Sequence, residues 1–76
     1  MPRHLPPDPA LAAVLRRLRE ERGATQEALA YRSGITTGTL ARIELGQASP
    51  AWATVRVIAK ALGVSLAELA RAVEAA

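Results

Sequence analysis

Cysteine and phenylalanine are absent from this chain of 76 residues, and histidine, tryptophan and tyrosine each occur once. Without cysteine the chain forms no disulfide and no thiolate metal site. The single imidazole, His4, cannot build a histidine-based metal site or catalytic pair. No nucleophile–base pair and no phosphate-cradling glycine loop is recognisable either. We therefore expect no metal, no cofactor and no enzymatic activity, and the scarcity of aromatic residues predicts an aliphatic core.

Long apolar runs are also missing. No stretch approaches the ~18 residues that a membrane span requires, and the N-terminus carries no signal-peptide pattern. We expect a cytoplasmic protein that makes no contact with a membrane. The length corresponds to one domain.

Charge is present with a mild positive excess. Ten basic and seven acidic residues give a formal net charge of +3 and a pI near 10.6, and nine of the ten basic residues are arginine. The guanidinium group matches phosphate and guanine in bidentate fashion. A net charge of +3 is equally an ordinary solubility charge, so composition alone leaves nucleic-acid binding open.

The spacing of apolar residues predicts an all-α protein. Asp8 is placed to cap the first helix, and Ser65 with Glu68 forms a capping box at the last. The proline-rich start indicates a flexible arm over residues 1–8, followed by one domain over residues 9–76. The predicted helices cover about residues 9–22, 25–33, 36–45, 52–62 and 65–74.

The second and third helices are separated only by Ser33, Gly34 and Ile35. Thr25 and Thr36 can cap them, because a threonine hydroxyl accepts the free N–H groups of a first turn. Two helices joined by a tight turn that contains glycine form a helix-turn-helix, whose second helix can enter a DNA major groove.

Several segments in order share the spacing of a known family. They read Leu-Arg-Arg-Leu-Arg-Glu-Glu-Arg-Gly at 15–23, Thr-Gln-Glu-Ala-Leu-Ala at 25–30, Gly-Ile at 34–35, Leu-Ala-Arg-Ile-Glu-Leu-Gly at 40–46, Ser-Pro at 49–50 and Val-Ile-Ala-Lys-Ala-Leu-Gly-Val-Ser-Leu-Ala-Glu-Leu at 57–69. The chain thereby resembles the lambda-repressor/Cro, or XRE-like, helix-turn-helix domains of bacterial and phage transcriptional regulators. The resemblance implies a compact five-helix fold of the lambda-repressor type.

The resemblance also implies roles for individual residues. Gln26 corresponds to a glutamine that holds a DNA phosphate, and Arg19 with Glu44 to a partly buried ion pair between the first and third helices. Gly46, Gln47 and Ala48 correspond to a loop whose backbone amides meet the sugar-phosphate chain. The third helix corresponds to the recognition helix, which is the helix that enters the major groove. Its exposed side is formed by Thr36, Thr37, Gly38, Thr39 and Arg42.

Each of these residues has a second interpretation. Thr37 and Thr39 can contact bases or simply make the helix start polar, whereas Thr36 suits a cap. Arg42 can read guanine or hold a phosphate. Gly38 offers no side chain to read a base. Arg16 and Arg17, on the first helix, are either an exposed charged face or contacts to DNA.

The last helix presents Leu66, Leu69 and Val73, which form either a homodimer interface or a cover for the core of one protomer. We expect Leu66 and Leu69 to face inward and Val73 to meet a partner. The sequence therefore predicts a regulator that binds double-stranded DNA, in which a homodimer occupies a pseudo-palindromic operator. The alternative is an adaptor or antitoxin-type module that uses the same fold to bind another protein.

Overall fold

Five helices account for the regular structure of residues 6–76, which are the residues that the computed structural model describes. Each helix begins and ends within about one residue of its predicted bounds. The first five residues of the predicted arm, with His4, lie outside the described residues. The helices are α1 (Pro9–Glu21), α2 (Gln26–Ser33), α3 (Thr37–Glu44), α4 (Trp52–Leu62) and α5 (Leu66–Ala75).

Side-chain caps fix most of the helix starts. The carboxylate of Asp8 accepts hydrogen bonds from the first turn of α1, and Thr25 Oγ1 accepts from Ala28 N at the start of α2. Ser65 and Glu68 form the predicted reciprocal capping box of α5. At α4 the residue in the cap position is Ala51, and no side chain caps that helix. The caps are local in sequence, which is why they were predictable.

A left-handed residue makes the tight turn between α2 and α3. Gly34 has φ 73° and ends α2, with its N–H donating to Tyr31 O, and Ile35 N donates to Ala30 O. A residue with a Cβ is strained at this φ, so glycine permits the helix-turn-helix to close in so few residues.

The apolar stripes of the helices meet in one aliphatic core. α2 packs on α3 and α4, α1 packs on α3 and α5, and α4 packs on α5. Neither aromatic side chain contributes, since Tyr31 is 78% exposed and Trp52 is 66% exposed. The buried cluster consists of Val14, Leu15, Leu29, Ala30, Leu40, Ile43, Ile58, Ala59, Leu62 and Leu69.

None of the helices in this described part of the chain is long and apolar enough to cross a membrane.

Candidate nucleic-acid interface

The helix α3 turns one face to the core and the opposite face to solvent. Leu40 and Ile43 are buried, whereas Thr37, Gly38 and Arg42 are exposed. Gly38 and Arg42 are four residues apart and therefore lie one above the other on the outward face. A Cβ placed on Gly38 would meet nothing within 4 Å, so the backbone of α3 is open at this point. The outward face is thus a short helical surface on which the backbone is accessible at Gly38 and the guanidinium of Arg42 is exposed.

Two of the threonines at the start of α3 bond to each other. Thr36 caps the helix, because its Oγ1 accepts from Thr39 N at 3.1 Å, and its hydroxyl also lies 2.8 Å from Thr39 Oγ1. Thr39 is only half exposed. These hydrogen bonds give Thr36 a structural role, and they leave Thr37 more accessible than Thr39 for a contact with a base.

An ion pair joins α1 to α3. Arg19 binds the carboxylate of Glu44 in bidentate fashion, with Nε to Oε2 at 2.8 Å and Nη2 to Oε1 at 2.9 Å. The side chain of Arg19 is 12% exposed and that of Glu44 is 2% exposed. The hydrogen bonds to Glu44 raise the pKa of Arg19 above its ordinary value. Arg19 Nη1 also donates to Ala24 O at 2.9 Å, which attaches the segment before α2.

Gln26 is connected to the same carboxylate. Its Nε2 donates to Glu44 Oε1 at 3.0 Å, and the residue is half exposed at the first position of α2. The side chain that the resemblance assigns to a phosphate is therefore held from behind by the ion pair. Its remaining amide hydrogen and its carbonyl oxygen have capacity for a further partner.

The loop after α3 differs from expectation in its backbone amides. Gly46, with φ 73°, donates its N–H to Ile43 O, and Gln47 donates its N–H to Arg42 O at 2.9 Å. Both N–H groups therefore close the end of α3 and are not available to a sugar-phosphate chain, which corrects that part of the expectation. Gln47 is exposed, so its side chain is the group of this residue that can reach a ligand.

Arg16 occupies a position that the sequence alone does not distinguish from that of Arg17. It lines an open concavity together with Gln26, Ala41 and Leu45, and its guanidinium forms an exposed ion pair with Glu20, Nε to Oε2 at 3.3 Å. Arg17 forms the equivalent exposed pair with Glu21 but does not line this concavity. Spacing along α1 cannot distinguish the two arginines, because the difference arises from the packing of α1 beside α2 and α3.

The three apolar side chains of α5 have different surroundings. Leu69 is 3% exposed and belongs to the core of the protomer, so it has little surface to offer a partner. Leu66 and Val73 are half buried, pack on the edge of the core and line an open apolar concavity between α1, α4 and α5. Of the three residues named for the dimer interface, these two retain surface for it.

A family model described as a helix-turn-helix domain matches residues 10–72. The chain belongs to this helix-turn-helix family. It is 45% identical over 53 residues to the uncharacterised HTH-type transcriptional regulator y4dJ of Sinorhizobium fredii, covering 70% of this chain and 69% of the relative. It is 42% identical over 53 residues to another uncharacterised HTH-type transcriptional regulator, from Methanothermobacter thermautotrophicus, covering 70% and 77%.

Solved structures agree with this assignment. The crystal structure of the clp gene regulator ClgR from C. glutamicum superposes with a TM-score of 0.84 at 29% identity, covering 90% of this chain and 88% of that chain. The restriction-modification controller protein C.AhdI from Aeromonas hydrophila superposes with a TM-score of 0.78 at 31% identity, covering 80% and 92%. The predicted XRE-like family and its five-helix lambda-repressor-like fold are confirmed. The helix-turn-helix protein thus carries the DNA-binding domain found in proteins named transcriptional regulators.

Proposed function

We propose that this helix-turn-helix protein is a sequence-specific regulator of transcription that binds double-stranded DNA as a homodimer. The observation that carries the proposal is the outward face of α3, where Thr37, Gly38 and Arg42 are exposed and the helix is fixed from behind by Leu40 and Ile43. A rigid helix with such a face fits the major groove, which admits an α-helix and displays a distinct pattern of donors and acceptors for each base pair.

Residues on the elements that flank α3 supply candidate contacts to the DNA backbone. Gln26 at the start of α2 and the side chain of Gln47 after α3 are our proposed phosphate contacts, with Arg16 beside Gln26 as an additional one. Glu44, buried behind Gln26, neutralises Arg19 and presents no charge to a phosphate there. Backbone contacts of this kind position a protein on the duplex, and base contacts from α3 then provide the sequence preference.

A homodimer would double these contacts. One helix of eight residues reaches only a few base edges, whereas two copies related by a two-fold axis read half-sites about 34 Å apart on a pseudo-palindromic site. The similarity to a restriction-modification controller protein and to a clp gene regulator supports a regulatory role. Leu66 and Val73 on α5 are our proposed interface residues.

Selection of bound sites from randomised duplex DNA, followed by affinity measurements at several salt concentrations, tests this function. We expect an enriched pseudo-palindromic sequence and an affinity that falls steeply with salt, because bound phosphates release counterions. The proposal would be overturned if no sequence were enriched and no duplex formed a salt-sensitive complex.

The second candidate is an adaptor or antitoxin-type module that binds another protein through the same fold. Leu45, which is 64% exposed beside the proposed DNA surface, is the observation in its favour, because a leucine there adds nothing to phosphate binding. The randomised-duplex experiment separates the two functions, since an adaptor enriches no sequence.

A further inference from the structure

Gly38 is the one glycine of this chain that no feature of the fold requires. The chain has five glycines, and the other four have φ between 64° and 75°, in the left-handed region. Gly38 lies within the helix α3, and a Cβ placed on it would meet nothing within 4 Å. Glycine destabilises a helix interior relative to alanine. Its backbone is therefore left open, at a cost in stability, to whatever approaches α3 from solvent.

The missing side chain leaves a depression in the outward face of α3. Its borders are the neighbours of position 38 on the helix surface, which are Thr37 before it and Ala41 and Arg42 three and four residues after it. Thr37 and Arg42 are exposed, and Ala41 is half exposed where it lines the concavity beside Gln26. We call this depression the Gly38 notch. Its floor is backbone, two of its borders bear a methyl group and the third carries a guanidinium.

The polar groups on this face restrict which bases it can read. In the major groove adenine is read by Asn or Gln, cytosine by Asp or Glu, and guanine by Arg or Lys. Residues 36–45 contain no Asn, Gln, Asp or Lys, and their one glutamate, Glu44, is 2% exposed and bound to Arg19. Arg42 can bind guanine in bidentate fashion. For the notch itself, the feature of a base edge that matches its borders is the apolar one, the C5-methyl group of a pyrimidine.

We infer that the Gly38 notch receives the C5-methyl group of a pyrimidine in the major groove, from thymine or from 5-methylcytosine, close to a guanine that Arg42 reads. The inference rests on the proposed DNA binding and deepens it by naming the chemical group that is recognised. A methyl group that enters the notch is removed from water against the methyl groups of Thr37 and Ala41, which is favourable. A Cβ at position 38 would occupy the same space.

The geometry of α3 also limits the distance between the methyl group and the guanine. Arg42 lies four residues beyond Gly38 on the same side of the helix. Four residues rise about 6 Å along a helix, which corresponds to roughly two base pairs at about 3.4 Å each. We therefore expect the pyrimidine and the guanine within about two base pairs of each other in each half-site.

Bases that differ by a single methyl group provide the test. The parent is the duplex selected from randomised DNA, and each thymine of a half-site is replaced in turn by uracil, which lacks only the C5-methyl group. At the notch position we expect the affinity to fall about fourfold, the effect of about one buried methylene, and about fifteenfold when both half-sites are changed. Uracil in place of thymines outside the half-sites is the control and should change the affinity little.

A second pair of duplexes distinguishes the two sources of the methyl group. Cytosine and 5-methylcytosine, each paired with guanine, replace the thymine at the notch position. An affinity about fourfold higher for 5-methylcytosine than for cytosine would show that the notch accepts the methyl group of either pyrimidine, so that binding responds to DNA methylation. A loss with uracil and no gain with 5-methylcytosine would support the inference with thymine as the source.

Protein variants locate the contact on α3. The readout is the ratio of the affinities for the thymine and uracil duplexes, because a general loss of binding cancels in it. Thr37→Ser removes one methyl group from the border and keeps the hydroxyl, and Gly38→Ala fills the notch. We expect a ratio of about four for the wild type, a smaller ratio for Thr37→Ser, and about one or less for Gly38→Ala. Thr25→Ser also removes one methyl group and still caps α2, so as the control it should keep the wild-type ratio.

The possible failures are distinguishable. Sequence-selective binding with no loss at any thymine replaced by uracil and no gain from 5-methylcytosine would overturn this inference and leave the proposed DNA binding standing. A folded Gly38→Ala variant that keeps the wild-type ratio would also overturn it, because the methyl group that is recognised would then lie elsewhere. Absence of binding to every duplex would contradict the proposed function itself, and this inference with it.

Discussion

Gln26 and Arg19 bind the same carboxylate, because Glu44 Oε1 accepts from Gln26 Nε2 at 3.0 Å and from Arg19 Nη2 at 2.9 Å. One buried carboxylate therefore connects α1, the start of α2 and the end of α3. The connection fixes the start of α2 relative to the recognition helix, and so the position of a proposed phosphate contact relative to the proposed base contacts. Preorganisation of this kind lets a binding surface form without an ordering cost at the moment of binding.

Replacement of Arg19 by methionine should destabilise the protein strongly. The change leaves Glu44 as an uncompensated charge that is 2% exposed, and loss of one partner of a buried pair costs about 3–5 kcal/mol. Urea unfolding measures the loss. Arg17→Met is the matched control on the same helix, since the Arg17–Glu21 pair is exposed and should change the free energy of unfolding by less than about 1 kcal/mol. Equal losses in the two variants would contradict the structural role of the buried pair.

Gly38→Ala should separate stability from DNA binding. Position 38 is helical and exposed and has open space for a Cβ, so alanine should raise the free energy of unfolding by about 0.5–1 kcal/mol. The added methyl group projects from the centre of the face that we place in the groove. We therefore expect a more stable protein with weaker affinity for its selected duplex. A rise in stability with unchanged affinity would show that the DNA does not approach α3 closely at this residue.

Arg42→Ala should relax the preference for one base pair of the selected site. Arg42 lies directly beyond Gly38 on the outward face of α3, and a bidentate contact to guanine contributes about 1–3 kcal/mol of discrimination. Affinities for the selected duplex and its single-base variants measure the change, with Arg32→Ala on α2 as the control for loss of one positive charge. Uniform weakening on every duplex would instead assign Arg42 to a phosphate.

The parts of this fold that the sequence made predictable are those set by neighbouring residues. The caps at Thr25 and at Ser65, the turn at Gly34 and the aliphatic stripes each follow from a few adjacent positions. The hydrogen bond from Gln26 to Glu44 spans 18 residues and depends on how α2 packs beside α3, so no local pattern contains it.

The orientation of each helix against its neighbours determines which of its residues are buried, and the spacing of residues alone does not show this. Leu66, Leu69 and Val73 share one face at helical spacing, yet only Leu69 is fully covered, because the packing of α1 and α4 against α5 sets which part of that face is enclosed. The amides of Gly46 and Gln47 were assigned to a ligand by resemblance, whereas the end of α3 uses both of them for its own carbonyl groups. A helix terminus satisfies its free backbone groups first when the loop geometry permits.

Arg16 and Arg17 provide a matched pair for testing the proposed contacts to the DNA backbone. Both side chains are exposed on α1 and both pair with a glutamate four residues later, but only Arg16 lines the concavity beside Gln26. Arg16→Ala should weaken DNA binding and reduce the slope of log affinity against log salt by about one unit. Arg17→Ala removes the same charge and should leave most of that slope in place. Equal effects would indicate that the two arginines act only through the overall field of the protein.

Acid should weaken the start of α5 through Glu68. The hydrogen bond from Ser65 N–H, together with that involving the Ser65 hydroxyl, lowers the pKa of Glu68 below its ordinary value. The carboxylate therefore contributes stability that is complete above the unfolded-state pKa, about 4.3, and is lost as pH falls through the lower folded-state pKa.

Glu68→Gln keeps an oxygen acceptor but does not titrate. The difference in free energy of unfolding between wild type and Glu68→Gln should be constant near neutral pH and should diminish in acid, as urea unfolding across this range can measure. A difference that does not change with pH would show that the capping box contributes nothing through the charge of Glu68.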